Sequence, residues 1–385
     1  MKSNCTPRER VLKAFQHMEP DRLPIDLGST ANTSITKDAY ENLKQLLKID
    51  LPTKLMSKNL STAIVDDVVL ERFGVDTRGV FLSKSDSWNN IELAAEKDAD
   101  KYIDEWGITY YKPPNYPFYD AVKHPLAGEI SSKTLKEFPW PDPHNKGRVS
   151  TIRERARYLR EHTDYAIVFH AMGGFITQSQ YLRGIEQWLE DIAAEPELVG
   201  ELLDHTLQYQ LELTLAALAE CDFDVDVVHF GDDLGMQNSL MFSPKTYREI
   251  IKPRQAKLFS VVRAHTKAKL LYHTCGCNYD VLDDLIEIGM DALNPIQTSA
   301  KNMQADKLKR EFGDRLVFWG GIDTHVPSIA AGADTRGMEE EVRQVIETMA
   351  PGGGYVLSAI HNIQPDISAK NICALFESAL RYGSR

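Results

Sequence analysis

The sequence has few of the features that mark membrane proteins, nucleic-acid-binding proteins or disulfide-stapled domains. No apolar run approaches the roughly 20 residues of a membrane span, and Met1 to Cys5 does not resemble the start of a signal peptide. No block of Lys or Arg is present and the formal net charge is −12, so a nucleic-acid partner is not expected. Cysteine is scarce, with five in 385 residues, and this odd number favours reduced thiols in a cytoplasmic protein.

What the sequence does contain is an alternation of short apolar segments with longer amphipathic ones. The motif Thr6-Pro7-Arg8-Glu9 has the capping hydroxyl, proline and glutamate that are typical of a helix start. Strands are predicted near residues 21–28, 75–82, 165–169, 225–230, 269–275, 292–296, 316–319 and 355–360. Eight strands alternating with helices predict an α/β fold, a parallel (β/α)8 TIM barrel that forms one domain over residues 1–385. A doubly wound open sheet is the alternative.

One region, residues 84–150, interrupts this alternation. It is rich in aromatic residues and proline, including Pro113-Pro114 and Trp140 between two prolines. Such a composition is too aromatic for a disordered linker and too irregular for a barrel helix. We therefore predict a folded insertion that covers the barrel mouth. It is either a lid that touches substrate or a surface excursion that packs on its own aromatic side chains.

A His-X-Cys motif, His273-Thr274-Cys275, closes the fifth predicted strand. Residues two apart in a strand point to the same side, so the imidazole and the thiol are expected to emerge together, which suits zinc. His361 follows the eighth strand at the same rim and is the third predicted ligand. The fourth ligand is left open among Asp323, Asp232, Cys277, water and a substrate sulfur. The alternative is a hydrogen-bonded histidine beside a small buried thiol, without metal.

Other polar side chains close the remaining strands. Asp232, His170 and Asp323 are predicted to be catalytic, because a carboxyl or imidazole group at a barrel mouth can transfer a proton. For both aspartates, capping of a helix is the alternative role. The predicted substrate-binding residues are amides that follow the sixth and eighth strands, namely Asn294, Gln297, Asn362 and Gln364.

Together these motifs resemble the uroporphyrinogen decarboxylase superfamily. The resemblance rests on residues 272–276 (YHTCG), 291–297 (DALNPIQ), 318–323 (FWGGID), 351–357 (PGGGYVL) and 361–365 (HNIQP). The opening residues 6–10 (TPRER), Phe175 and residues 181–184 (YLRG) extend it over nearly the whole chain. This resemblance implies a (β/α)8 barrel, in agreement with the strand pattern.

The superfamily has two chemistries, of which the first is decarboxylation. Its decarboxylases remove acetate side chains from a substrate with eight carboxylates, without a cofactor, and use an arginine-rich segment after the first strand. The matching segment here, residues 25–30, has no arginine, and Asp26 puts a negative charge where carboxylates would bind. The comparison with the family therefore argues against a true uroporphyrinogen decarboxylase.

The second chemistry is methyl transfer by cobalamin-dependent enzymes that work with a separate corrinoid protein. Their zinc motif is His-X-Cys after the fifth strand and a cysteine after the eighth. His273 and Cys275 match it, whereas the third place falls on His361, as in the decarboxylases. The resemblance implies methyl transfer between a small substrate, such as an aryl methyl ether, and a corrinoid protein. Zinc would act as a Lewis acid, with Asp232 or His170 protonating a leaving oxygen.

Two other functions stay open at this stage. One is a uroporphyrinogen decarboxylase-like carboxy-lyase in tetrapyrrole metabolism. The other is a non-catalytic module that binds a corrinoid protein or a small molecule, in which the polar groups of the rim only satisfy one another. A homodimer is compatible with each of these functions, methyl transfer included.

Overall fold

The structure is a computed structural model that describes residues 5–87, 100–114, 116–326, 329 and 334–384. Its strands are β1 (Lys54–Ser57), β2 (Thr62–Ile64), β3 (Thr77–Phe81), β4 (Lys101–Ile103), β5 (Thr109–Tyr111), β6 (Asp120–Lys123), β7 (Ala166–Gly173), β8 (Val227–Gly231), β9 (Lys269–His273), β10 (Ala292–Asn294), β11 (Val317–Trp319) and β12 (Tyr355–Val356). Its α-helices are Pro7–Phe15, Lys37–Leu47, Asp67–Arg72, Ser132–Glu137, Lys146–Val149, Ile152–His162, Phe175–Arg183, Ile185–Ala194, Pro196–Glu220, Pro244–Thr246, Lys252–His265, Leu282–Glu287, Ala305–Phe312, Arg336–Met349 and Ala369–Gly383. A π-helical turn at Tyr247–Ile251 and a 3-10 turn at Tyr279–Val281 precede two of them. Within these residues, no helix has the length and apolar character that crossing a membrane requires.

Within the described residues, seven strands form one parallel sheet in the order β12-β11-β10-β9-β8-β7-β3. Helices lie between most successive strands of this sheet, which is the pattern of a TIM barrel. The predicted α/β barrel is therefore confirmed. The seven strands lie at seven of the eight predicted places.

The prediction of a regular first strand near residues 21–28 is wrong. Ile25 forms only an isolated parallel bridge with Leu357. Pro24 has no backbone N–H, so the ladder cannot extend through it. The segment nevertheless connects the two edges of the sheet. Asp26 N donates to Leu357 O at 2.8 Å and Asp76 N, just before β3, donates to Ile25 O at 2.8 Å.

The interior of the barrel is layered along the strands. A compact apolar group inside it combines strand residues with the first helix: Val11, Ala14, Phe15, Ala166, Val168, Val227, Leu271, Ala292, Val317, Trp319 and Val356. That helix, Pro7–Phe15, begins with the predicted capping box between Thr6 and Glu9. Side chains alternate along a strand, so residues two positions further on point into the same interior. Above the apolar layer, this places three histidines, which are His170, His229 and His273.

The insertion contains a small antiparallel sheet in the order β4-β5-β6. Tyr102 and Tyr110 stack on it with ring centroids 4.8 Å apart. It packs against the helix Phe175–Arg183, where His124 Nδ1 lies 2.7 Å from Tyr181 O. Residues 88–99 and 115 of this region lie outside the described residues. That the insertion covers the barrel mouth stays a prediction.

Candidate metal centre

Two histidines and a cysteine converge at the carboxyl ends of the strands. His273 ends β9, Cys275 follows it, and His361 lies after β12. One ligand atom from each lies within 4.8 Å of the others, and Cys275 Sγ is 3.3 Å from His273 Nε2. Strand β9 ends at His273, two residues earlier than predicted, and the chain then turns at Gly276 with φ +83°. The structure still brings together the three predicted ligands.

The orientation of the His273 ring is fixed by an amide. Its Nδ1 lies 2.6 Å from Asn294 Oδ1. The Asn294 amide nitrogen donates to Trp319 O at 2.9 Å, which leaves Oδ1 as the acceptor. Because an amide oxygen only accepts, His273 Nδ1 carries the hydrogen and Nε2 keeps a lone pair.

The His361 ring is held in a similar way. Its Nδ1 is hydrogen-bonded to Asn362 Oδ1, which also accepts from Gln364 Nε2 at 2.8 Å. His361 Nε2 therefore also keeps its lone pair. An acceptor behind each ring is the arrangement found behind metal-binding histidines, because it sets the tautomer and raises the basicity of the ligand nitrogen.

Burial sets the protonation of the cluster. It lowers the pKa of His273 and lowers that of His361 to about 4. Burial, together with the Asp233 carboxylate, raises the pKa of the Cys275 thiol well above its ordinary value. At neutral pH both imidazoles are thus neutral. A cation bound here would displace the thiol proton, since the thiolate is the form that binds metal.

Asn32, which was not among the predicted site residues, lies beside the two histidines. Its Nδ2 atom is 3.1 Å from His273 Nε2 and 3.4 Å from His361 Nε2. In a tetrahedral zinc site with bonds of roughly 2.0–2.3 Å, ligand atoms are about 3.3–3.8 Å apart. The 3.3 Å between His273 Nε2 and Cys275 Sγ is such a distance, and all three ligand atoms lie within 4.8 Å of one another, so small side-chain shifts would let these residues hold a zinc ion. That they bind one stays a prediction.

Asp232 lies at the start of the helix Phe175–Arg183, outside this cluster. Its Oδ1 accepts a hydrogen bond from Thr177 N at 2.7 Å. A Cβ at Gly174 would come within 1.9 Å of Asp232 Oδ2, so only glycine fits there. Burial raises the pKa of Asp232 to about 8, although the Thr177 amide opposes the shift. Asp232 thus interacts with the helix that follows β7, and its catalytic role stays a prediction.

The neighbouring Asp233, which was not among the predicted catalytic residues, lies closer to the cluster. Asp233 Oδ1 accepts from Cys275 N at 2.8 Å and is 3.8 Å from His273 Nε2. Its side chain is 46% exposed. Asp233 therefore fixes the backbone at the thiol and places a negative charge at the edge of the cluster.

Two other candidates for the fourth ligand lie in turns. Cys277 N donates to Met236 O at 2.7 Å, and among the described residues the group of nearby ligand atoms does not include its thiol. Asp323 Oδ1 accepts from His325 N at 2.9 Å in an Asx turn, and its role as a helix cap stays a prediction. Neither side chain joins the group of ligand atoms formed with His273 and His361.

The four amides predicted to bind substrate are bonded to the protein. Asn294 and Asn362 hold the two imidazoles, and Gln364 supports Asn362. Gln297 Oε1 accepts from Gly276 N at 2.7 Å and so supports the turn after Cys275. The geometry gives these amides a positioning role around the cluster, and substrate contact stays a prediction.

A second histidine pair lies inside the barrel. His170 Nδ1 is 2.8 Å from His229 Nδ1, and His229 is 6.2 Å from His273 between ring centroids. Burial lowers the pKa of His170 to about 4 and that of His229 well below its ordinary value. His229 was not among the predicted site residues, although its spacing of two from Val227 would have placed it on the inner face.

Comparisons with known proteins agree with this architecture. The family described as Uroporphyrinogen decarboxylase (URO-D) matches residues 122–382. A curated "Uroporphyrinogen decarboxylase" from Methylococcus capsulatus is 26% identical over 186 residues, which cover 48% of this chain and 49% of that protein. The chain thus matches about half the length of this relative. The structure of a "methyltransferase from Methanosarcina mazei" superposes with a TM-score of 0.67 and 16% identity, covering 98% of this chain and 99% of that one, which shows a shared fold.

Proposed function

The chain belongs to the uroporphyrinogen decarboxylase family, and from this premise we propose that it is a zinc-dependent methyltransferase. It would move a methyl group between a small substrate and the cobalamin of a corrinoid protein. An aryl methyl ether is the donor we favour. The observation that carries the proposal is the convergence of His273, Cys275 and His361, whose ligand atoms lie within 4.8 Å of one another.

Zinc bound at this cluster would supply a Lewis acid that polarises the oxygen or sulfur of the substrate. Cys275 would contribute a thiolate, and the two histidines neutral imidazoles. Asn294 holds the His273 ring so that its Nε2 faces the cluster. A preorganised set of ligands needs little rearrangement when substrate binds, which favours catalysis.

A proton donor for the leaving oxygen is a further part of the proposal. Asp232 is the residue we favour, because burial raises its pKa to about 8 and the carboxyl group holds a proton at neutral pH. His170 is less suited, since its lowered pKa of about 4 keeps the ring neutral. Asp323 stays a weaker proposal, because its carboxylate accepts a hydrogen bond from the backbone.

A decarboxylase is the second candidate, because the curated relative carries that name. Residues 25–30 contain no arginine for a polyanionic substrate. The expected repulsion from Asp26 is weakened, however, because burial raises the pKa of its carboxyl group. Asp26 is buried and accepts from Thr77 Oγ1 at 2.5 Å and from Trp319 Nε1 at 2.8 Å. The missing arginines remain the argument against this candidate.

Metal analysis tests the zinc part of the proposal. We expect close to one zinc per chain in the purified protein, and its loss in Cys275→Ala. Cys277→Ala is the matched control, because this buried thiol lies two residues away in a different environment. Protein that binds no zinc after incubation with the metal, or equal zinc in both variants, would contradict the assignment.

Methyl transfer is tested with the zinc-loaded protein, reduced free cobalamin and a panel of methoxybenzenes. Formation of methylcobalamin is followed by its absorption spectrum. We expect turnover with the intact protein and a loss of at least about 100-fold in Cys275→Ala, since a direct ligand matters more than an outer-shell residue. Carboxy-lyase activity on tetrapyrrole carboxylates without methyl transfer would favour the second candidate.

A further inference from the structure

Asn32 reaches the cluster from a part of the chain far from the His-X-Cys motif. It is 241 residues from His273 and 329 residues from His361, yet its amide nitrogen lies 3.1 Å and 3.4 Å from their Nε2 atoms. Both Nε2 atoms carry lone pairs, because each Nδ1 bonds to an amide oxygen. The two hydrogens of the Asn32 amide thus match two acceptors.

The segment that carries Asn32 is held in place on both sides. Gly28 N donates to Thr33 O at 2.9 Å, and Thr33 N donates to Thr30 Oγ1 at 3.1 Å. Further along, Ile35 forms a parallel bridge with Ile363, two residues after His361. These bonds fix the backbone around Asn32 relative to His361, so the position of the amide is built into the fold.

An asparagine side chain ends in an NH2 group and a carbonyl oxygen, which have nearly the same size and shape. Rotation of the terminal amide by about 180° exchanges the NH2 group for the carbonyl oxygen with little movement of other atoms. An NH2 group suits two imidazole lone pairs, but it would be repelled by a cation held between them. The carbonyl oxygen suits the cation, and oxygen is an accepted zinc ligand.

We propose that Asn32 is the fourth metal-facing residue, with its NH2 group bonded to His273 and His361 in the metal-free protein and its carbonyl oxygen turned to the metal when zinc is bound. This inference rests on the proposed zinc site. A neutral amide oxygen binds zinc more weakly than a thiolate or an imidazole. It is therefore the ligand that an incoming substrate atom would replace, which provides the exchangeable position that a catalytic zinc site requires.

The test uses two variants of similar shape, Asn32→Asp and Asn32→Leu, in the full-length protein. Zinc affinity is measured by competition with a chromophoric chelator, and Co²⁺ is added in place of zinc to record the visible absorption bands. We expect Asn32→Leu to bind zinc about 10- to 100-fold more weakly, by analogy with other changes around metal sites. Asn32→Asp should bind about tenfold more tightly, because a carboxylate adds a negative charge.

The Co²⁺ spectrum should change in both variants, because the ligand field changes, while thermal melting of the metal-free proteins shows that each variant folds. Equal zinc affinity and an identical Co²⁺ spectrum in all three proteins would overturn the role of Asn32 alone. An intact protein that binds neither metal would overturn this inference together with the zinc site. If Asn32→Leu fails to fold, Asn32→Asp still decides the question, since unchanged affinity and spectrum there contradict the proposal.

Discussion

Two histidine pairs lie inside this barrel, and they differ in what their Nδ1 atoms contact. In the first pair, His273 and His361 each turn Nδ1 to an asparagine oxygen. In the second, His170 and His229 turn their Nδ1 atoms to each other at 2.8 Å. The same residue type thus turns two Nε2 lone pairs towards a thiol and the Asn32 amide in one place and shares one hydrogen in the other.

The difference shows that the partners of an imidazole decide what it can do. One hydrogen shared between the two Nδ1 atoms satisfies only those atoms, and His229 Nε2 is left without a partner among the described residues. No thiol of the described residues joins that pair in a metal-capable group. The acceptors behind His273 and His361 instead aim both rings at one point, which is why we assign metal binding to the first pair only.

The sharpest test of this comparison removes one ring from each pair. His273→Ala should abolish zinc binding, a loss of more than about 100-fold in affinity, because a direct ligand matters more than the outer-shell residues that cost 10- to 100-fold. His170→Ala should retain the zinc of the intact protein. Elemental analysis after dialysis measures both. Equal loss in the two variants would mean that the pairs act as one site.

A smaller loss of zinc affinity is expected when the asparagine oxygen that accepts from a ring Nδ1 is removed. Asn294→Ala should weaken zinc binding about 10- to 100-fold, because His273 can then adopt the other tautomer or rotate. Chelator competition measures the affinity. Asn371→Ala is the control, since this asparagine is also buried but belongs to the helix Ala369–Gly383. If the two variants bind zinc equally, the fixed tautomer does not explain the difference between the pairs.

The smallest effect concerns stability at low pH. Burial lowers the pKa of His170 to about 4 from its ordinary value of about 6.5. The stability that the neutral ring contributes is therefore fully present above about pH 6.5 and is lost as the pH falls towards 4. His170→Gln, which cannot be protonated, should lose less of its free energy of unfolding over this range, by on the order of 1 kcal/mol. Denaturant unfolding of both proteins with excess chelator measures it, and parallel pH profiles would refute the assignment.

Much of the fold could be predicted from the sequence, because the period of apolar residues sets secondary structure locally. The capping box at Thr6 and the sites of seven barrel strands follow from such patterns. The first strand could not be predicted correctly. Its apolar residues are typical of a strand, but Pro24 lacks the N–H that a strand ladder needs. Only the structure shows that backbone hydrogen bonds to the two edges of the parallel sheet hold this segment.

The candidate site was only partly predictable. The rule that strand ends share one face of a barrel is enough to bring His361 to His273. No local pattern identifies Asn32, because the residues of an irregular segment show no periodicity from which the direction of a side chain could be predicted. Nor does a pattern distinguish Asp232 from Asp233, since adjacent residues point in opposite directions and the direction depends on the exact end of β8.

By itself, the sequence determined the chemistry that is available. The chain is acidic, it carries a His-X-Cys motif and a further histidine at a strand end, and residues 25–30 contain no arginine. Tertiary structure alone decided how these groups are oriented and which further side chain joins them. Two asparagine oxygens orient the rings of His273 and His361, and a third asparagine faces their Nε2 atoms. The physical reason is that hydrogen bonds between residues far apart in sequence set tautomer and direction, whereas secondary-structure patterns report only neighbours along the chain.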